Sequence, residues 1–172
     1  KWSLGPEGLG GVALSERVLE EVNPTLIGWR SLKNEDTFCL TDTDPFHRDS
    51  RKFEVATSCI PLMAGLRTSI NLLEEEGTSQ ERIKRILYLS KKLWEGIEKI
   101  NGLEPVLNTP PPSGLVSFAI TNKLSPKEVV KKLGAKRIWI RSLNSPPCLR
   151  ACVHITTTED EVKTLLDNLQ EL

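Results

Sequence analysis

The chain reads KWSLGPEGLGG over residues 1–11, where a lysine and a tryptophan lead into a stretch rich in glycine with one proline. Such a stretch favours a tight turn, because glycine accepts a positive φ and proline fixes its own φ. The apolar run at 11–14 predicts a short strand, and Ser15 predicts the N-cap of a helix that ends near Pro24. We therefore expect a turn, a strand and a helix in succession.

The middle of the chain has the apolar spacing of two helices. Pro61 suits the first turn of a helix, apolar residues follow it at helical intervals, and Gly77 ends the pattern. Thr78 and Glu81 form a capping box, which predicts that a second helix starts at once and ends near residue 101.

The last part of the chain alternates short strands with helices. Strands are predicted at 104–107, 115–121, 137–143 and 149–155. Ser125 and Thr158 are each followed three positions later by glutamate, so each predicts the start of a helix, the first of which ends at Gly134. The order β-β-α-β-β-α predicts a small, largely antiparallel sheet with helices on one face.

The charge balance restricts the partners of this protein. The 172 residues carry 23 Lys and Arg against 23 Asp and Glu, so the formal net charge is zero. This balance argues against electrostatic binding to nucleic acid or to an anionic membrane. The long uncharged stretch at 105–122 is interrupted by three prolines at 110–112, which argues against a membrane helix. Small molecules or proteins are the expected partners.

The cysteines predict neither a metal site nor a disulfide. They lie at positions 39, 59, 148 and 152, form no CxxC pair, and have only two histidines beside them in the chain. Cys148 and Cys152 fall four residues apart in a predicted strand, too far apart to bond each other. Reduced thiols are expected, in a reducing compartment such as the cytoplasm or, alternatively, the plastid stroma.

Three sequence blocks resemble one known family. The first is KWSLGPEGLGG, the second is RKFEVATSCIPLMAGLRTSINLLEEEG (51–77), and the third is LRACVHITTTEDEVKTLLDNLQEL (149–172). Their order and content are similar to class V aminotransferases, the pyridoxal-phosphate enzymes of fold type I that include cysteine desulfurases, cystine lyases and epimerases. In the second block Phe53, Glu54 and Thr57 match the family pattern, whereas Ala56 stands where a glycine is usual.

The resemblance implies an α/β fold in which the end of the large cofactor domain is followed by the small C-terminal α+β domain. It divides the chain into 1–50, the end of the cofactor-binding domain and a connecting loop; 51–102, linking helices; and 103–172, the small domain. Family members supply most cofactor contacts from residues that precede the lysine. We therefore expect the chain to be the C-terminal portion of a longer enzyme, and we expect this portion to be inactive on its own.

The resemblance also assigns three site residues and the cofactor, pyridoxal 5'-phosphate. Lys1 matches the lysine that carries the cofactor and, as a free amine, moves the substrate Cα proton. Arg150 matches the arginine that holds the α-carboxylate of an amino-acid substrate, a role suited to a bidentate donor; the alternative is a strand-end arginine paired with glutamate. Thr57 matches a residue that contacts the cofactor phosphate of a neighbouring subunit, which implies a homodimer; the alternative is a helix N-cap. Further candidate pocket neighbours are Trp2, Trp29, Arg30 and Arg141; the alternative for each is a packed or surface residue.

The resemblance favours one reaction over its relatives. Cysteine desulfurases need a mobile cysteine on a loop well before the carboxylate-binding arginine, but here only residues 142–149 separate Arg141 from Arg150, and Cys148 is two residues from Arg150. We therefore expect a C–S lyase that converts cysteine or cystine to pyruvate, ammonia and sulfide or persulfide. The alternatives are another class V activity (aminotransferase, cysteine desulfurase or epimerase) and a non-catalytic dimerisation module.

Overall fold

The computed structural model describes residues 1–34 and 44–172. These residues form two compact units, Lys1–Asn71 and Leu72–Leu172. The helices are α1 (Glu16–Glu21), α2 (Ile60–Glu75), α3 (Ser79–Glu98), α4 (Pro126–Ala135) and α5 (Glu159–Gln170), and the strands are β1 (Leu103–Pro105), β2 (Leu115–Ile120), β3 (Arg141–Asn144) and β4 (Pro147–Cys152). Two 3₁₀ turns lie at Trp29–Ser31 and Ser50–Phe53.

The first unit begins with the expected turn. Gly8 has a φ of 88°, which a residue with a Cβ rarely adopts. The Ser15 side chain caps α1 by accepting a hydrogen bond from the Val18 N–H. The strand predicted at 11–14 is wrong, because these residues pair with no strand among the described residues. An extended segment becomes a strand only through ladder hydrogen bonds to a neighbour.

The two predicted central helices are confirmed. Helix α2 starts one residue before Pro61, and Gly77 follows its end with a φ of 102°. At the start of α3 the Thr78 hydroxyl accepts from the Glu81 N–H, and the Glu81 carboxylate accepts from the Thr78 N–H at 2.8 Å. The capping box therefore satisfies two backbone donors that have no partner within the helix.

The second unit contains the predicted antiparallel sheet, in the order β1-β2-β4-β3. Val116 and Phe118 of β2 lie opposite Ala151 and Leu149 of β4, and all four side chains are buried on one face. Helices α3, α4 and α5 contribute their apolar faces to the same core, as the predicted arrangement of the helices on one face requires. The opposite face carries the alternate residues of each strand.

The third predicted strand starts four residues later than its sequence pattern indicates. Residues 137–140 were expected to belong to β3, but β3 starts at Arg141. The Arg137 and Ile138 N–H groups donate to the carbonyls of Gly134 and Leu133, and Arg137 has a φ of 62°. These residues therefore complete the end of α4, which runs one residue past Gly134, instead of pairing with β4.

Among the described residues, no helix is long and apolar enough to cross a membrane. The sequence-based division at residues 50 and 102 stays a prediction.

Candidate functional site

Lys1 opens a turn in the first unit. Its carbonyl accepts a hydrogen bond from the Leu4 N–H at 3.0 Å, and Leu4 has a φ of 54°. A left-handed leucine is unfavourable and persists only where its surroundings enforce it. The Lys1 side chain is exposed, and among the described residues no carboxylate lies within ion-pair distance of it. Its amine is therefore not committed to a structural ion pair.

The glycine-proline turn after Lys1 packs closely on α2. A Cβ at Gly5 would lie 2.8 Å from Leu66 Cδ1, and one at Gly65 would lie 3.3 Å from Pro6 Cγ. A Cβ at either position would require Leu66 or Pro6 to shift, so the two glycines let the turn lie close to the helix. The turn after Lys1 therefore packs against α2.

Thr57 lies in the irregular segment between the second 3₁₀ turn and α2. It is exposed, and its hydroxyl makes no hydrogen bond with any residue of 1–34 or 44–172. Helix α2 begins at Ile60, and the Cys59 carbonyl accepts from Leu62 and Met63, so Thr57 is not the residue that caps it. A free hydroxyl just before the positive end of a sixteen-residue helix suits the oxygens of a phosphate group.

Arg150 belongs to the second unit, on the face of the sheet opposite the core. It lies in β4, directly opposite Ser117 of β2 and Arg141 of β3. Within the described chain no carboxylate lies within ion-pair distance of Arg150, so the expected alternative of a pairing with glutamate is not found there. Burial raises the pKa of the Cys152 thiol, and the positive charge of Arg150 opposes that rise.

The two arginines face each other without a counter-charge among the described residues. Side chains directly opposite on antiparallel strands have Cβ atoms about 5 Å apart, and like charges in such pairs are destabilising. An anion placed between Arg141 and Arg150 removes that repulsion and gains charge-assisted hydrogen bonds. The pair is therefore a candidate carboxylate site, and the sequence alone had indicated Arg141 only as a neighbour.

The cysteines of the second unit are fixed in regular structure. Strands β3 and β4 are joined by a turn of two residues, Ser145 and Pro146. Cys148 is 3% exposed, whereas Cys152 is exposed at the end of β4. The three described cysteines, these two and Cys59, are all free thiols. Cys39 lies outside the described residues.

Lys1 and Thr57 belong to the first unit, and Arg141 and Arg150 to the second. The structure thus brings Arg150 together with Arg141, and it describes Lys1 and Thr57 each by its own surroundings.

Comparison with known proteins gives one consistent result. The model of the family "Aminotransferase class-V" matches residues 1–165. A probable cysteine desulfurase of Pyrococcus abyssi is 27% identical over 184 aligned residues, which cover all of this chain and 44% of that protein. A probable cysteine desulfurase of Methanothermobacter thermautotrophicus is 26% identical over 100% of this chain and 45% of that protein.

The solved structure of C-DES, described as a cystine C–S lyase in complex with its reaction product cysteine persulfide, matches with a TM-score of 0.90 and 35% identity over 100% of this chain and 44% of that chain. A lysine-to-alanine variant of C-DES, with glycine covalently linked to the pyridoxal-phosphate cofactor, matches equally well over 99% of this chain. The chain thus spans less than half the length of these relatives.

Proposed function

The chain belongs to the class-V aminotransferase family, and from that membership we propose that it forms part of a pyridoxal-phosphate-dependent enzyme of amino-acid sulfur metabolism. The fold agrees, because the chain superposes on C-DES with a TM-score of 0.90. The reaction we propose is β-elimination from cystine or cysteine, which gives pyruvate, ammonia and persulfide or sulfide. Because the chain covers 44% of these relatives, the proposal concerns the full-length protein that contains it.

The position of the two cysteines near Arg150, Cys148 and Cys152, is the observation that favours elimination. A desulfurase needs a thiol that moves to the substrate sulfur, but the connection between β3 and β4 is a turn of two residues. Cys148 is buried within β4, and Cys152 is fixed on the same strand beside Arg150. Elimination needs no protein thiol, because the electrons of the broken Cα–H bond expel the sulfur leaving group from Cβ.

The residues of this chain fit the cofactor at two points. Lys1 presents an amine without an ion-pair partner among the described residues, and the Thr57 hydroxyl lies before the N-terminus of α2, where a phosphate is favoured. When bound, pyridoxal phosphate supplies an electron sink that stabilises the negative charge left at Cα after the proton is removed.

The protein residues would then divide the work. Lys1 would hold the cofactor. Once the substrate has taken the place of the Lys1 amine, that freed amine would take the Cα proton as a general base. Arg150 binds the α-carboxylate with two parallel hydrogen bonds and so fixes the orientation of the substrate. Arg141, directly opposite on β3, adds a second positive charge to the same site. The orientation matters because only a suitably aligned Cα–H bond is broken.

We further propose a homodimer, in which Thr57 contacts the phosphate bound by the neighbouring subunit. The cytoplasm or the plastid stroma is the proposed location, which the three free thiols among the described residues fit.

The full-length protein tests these proposals directly. Incubated with pyridoxal phosphate and L-cystine, it should release pyruvate, measured by coupling to lactate dehydrogenase, and an equal amount of ammonia. Borohydride reduction should attach the cofactor to the peptide that contains Lys1, and Lys1→Ala should abolish both the adduct and pyruvate release. A cofactor adduct on Lys1 without pyruvate from cystine or cysteine would overturn the elimination and leave the cofactor assignment in place.

Desulfuration is the second candidate, because the curated relatives from Pyrococcus and Methanothermobacter are probable cysteine desulfurases. It predicts alanine instead of pyruvate as the carbon product of cysteine, together with a persulfide on one protein cysteine. Mass spectrometry of the protein after a single turnover distinguishes the two reactions.

A further inference from the structure

Ser31 ties together three segments of the first unit. It is fully buried, and its N–H donates to the Gly28 carbonyl at 3.0 Å while its carbonyl accepts from the His47 N–H at 3.1 Å. Its hydroxyl donates to the Glu54 carbonyl at 2.6 Å and accepts from the Gly28 N–H at 3.1 Å. Each polar group of Ser31 is therefore used, and the side chain links the segment at 28 to the segment at 54.

Gly28 adds a second contact between the same segments. A Cβ at Gly28 would lie 1.7 Å from the Val55 carbonyl oxygen and 2.5 Å from its carbonyl carbon. The φ of Gly28 is −143°, which any residue adopts, so glycine is needed here for space and not for conformation. Arg30 strengthens the junction through an ion pair of 3.5 Å with Glu54.

The other end of this segment is also held. Lys52 is 6% exposed, and its ammonium group donates to the Leu19 carbonyl at the end of α1. The chain from Lys52 to Val55 is thus fixed at both ends by residues that precede position 32. Only Ala56 separates Val55 from Thr57, and one residue spans at most about 3.6 Å. The position of the Val55 backbone therefore limits where Thr57 can lie.

We propose that Ser31 and Gly28 are positioning residues for Thr57: by fixing the backbone of Glu54 and Val55, they place the Thr57 hydroxyl where it meets the cofactor phosphate. This inference rests on the proposed function, in which Thr57 contacts that phosphate. Neither residue needs to touch the cofactor. The hydrogen bond from the Ser31 hydroxyl to the Glu54 carbonyl is the decisive contact, because it holds the chain three residues before Thr57.

Cofactor affinity in the full-length protein tests the inference. Dissociation constants for pyridoxal phosphate and for pyridoxal, which lacks the phosphate, are measured by equilibrium dialysis for Ser31→Ala, Thr57→Ala and the double variant. In Ser31→Ala the loss of one hydrogen bond should raise the dissociation constant for pyridoxal phosphate about three- to tenfold and leave that for pyridoxal unchanged. The double variant should bind pyridoxal phosphate no more weakly than Thr57→Ala alone, because Ser31 acts through Thr57.

Ser90→Ala is the matched control. Ser90 is equally buried, and its hydroxyl donates to the Ser113 carbonyl at 2.7 Å in the second unit. The two serine variants should lower the Tm similarly, but only Ser31→Ala should change the ratio of the two dissociation constants. Ser31→Cys keeps the approximate size of the side chain and replaces Ser31→Ala in this test if that variant does not fold. It should also raise the dissociation constant for pyridoxal phosphate and leave that for pyridoxal unchanged.

The outcomes separate the inference from the function on which it rests. If Thr57→Ala binds pyridoxal phosphate as the parent protein does, the proposed phosphate contact of Thr57 fails. The phosphate contact stands if Thr57→Ala weakens the binding of pyridoxal phosphate. The positioning role still fails if Ser31→Ala weakens the binding of pyridoxal phosphate and pyridoxal equally, or if its effect adds in full to that of Thr57→Ala.

Discussion

Arg141 and Arg150 lie directly opposite each other in the antiparallel ladder of β3 and β4. Both are on the face of the sheet away from the core, and neither has a carboxylate partner among the residues that the structure describes. Two unneutralised guanidinium groups in this register cost stability unless an anion binds between them. The pair is therefore a candidate site for a carboxylate.

Removing one arginine at a time should separate their roles. Arg150→Ala should lower kcat/KM for cystine by at least about tenfold, because a charge-assisted hydrogen bond contributes about 1.5–3 kcal/mol. Arg150→Lys should recover only part of the loss, since lysine cannot form two parallel hydrogen bonds to one carboxylate. Steady-state pyruvate assays measure the effect. Equal activity of Arg150→Ala and the parent would remove Arg150 from the site.

Arg141→Ala should weaken the binding of both substrates, because Arg141 and Arg150 flank a single candidate carboxylate site. We expect KM for cystine and KM for cysteine to rise several-fold and by similar factors, since both substrates carry the α-carboxylate. The same pyruvate assay measures both substrates. A rise in KM for cystine alone would show that Arg141 meets the second carboxylate of cystine instead of the shared one.

The elimination mechanism predicts that no protein thiol is required. A variant with all four cysteines at positions 39, 59, 148 and 152 replaced by serine should retain most of the pyruvate release from cystine. Cys148→Ser should contribute most of any loss of stability, because that side chain is buried. Single Cys→Ser variants serve as controls. Loss of pyruvate release on replacement of any single cysteine would show that a protein thiol takes part in the reaction and would contradict the elimination mechanism.

Local signals predicted much of the fold. The capping boxes at Thr78, Ser125 and Thr158 all form as the sequence indicated, because each depends on residues within one helical turn. The strand at 11–14 did not form, since a strand depends on a distant partner that no local pattern reveals. The strand predicted at 137–143 was too long because the N–H groups of Arg137 and Ile138 donate to carbonyls at the end of α4 instead of to a neighbouring strand.

The site was predicted less completely. Family resemblance indicated Lys1, Thr57 and Arg150, whose roles stay proposals, and no sequence signal showed that Arg141 would stand opposite Arg150. That relationship follows from a hairpin register, which a two-residue turn determines. Ser31 was missed because its contact with Glu54 spans 23 residues. A serine near a glycine is too common to indicate such a contact.

Close packing of α3 on α5 should make Gly96 intolerant of alanine. A Cβ at Gly96 would lie 2.4 Å from Leu166 Cδ1 and 3.1 Å from its Cγ. Overpacking costs about 1–3 kcal/mol and should outweigh the better helix propensity of alanine, so the Tm should fall. Gly134→Ala is the control: its Cβ would meet the ring of Trp139 at 3.3 Å, and Trp139 is 80% exposed and free to shift. A lower Tm in Gly134→Ala than in Gly96→Ala would contradict this reading.

Glu159 should make the stability of the second unit depend on pH in the acid range. Its carboxylate accepts hydrogen bonds from Lys92, from Arg85 at 3.2 Å and from the Tyr88 hydroxyl at 3.2 Å. The hydrogen bonds from Lys92 and then Arg85 lower the pKa of Glu159 to about 2, against about 4.3 in an unfolded chain. The pKa of Glu159 is lower in the folded than in the unfolded chain. Its carboxylate therefore contributes fully to the free energy of unfolding above about pH 4.3, and this contribution is lost as the pH falls towards 2.

Glu159→Gln should therefore lower the Tm at pH 7, and the difference from the parent protein should shrink steadily between about pH 4.3 and pH 2. The matched control is Glu171→Gln, which removes a single exposed ion pair of 2.6 Å with Lys136 and should have the smaller effect at pH 7. Added salt should reduce both differences, since all these groups are exposed. Thermal unfolding followed by circular dichroism measures each Tm, and a difference for Glu159→Gln that stays constant down to pH 2 would show that its carboxylate charge does not stabilise the link between α3 and α5.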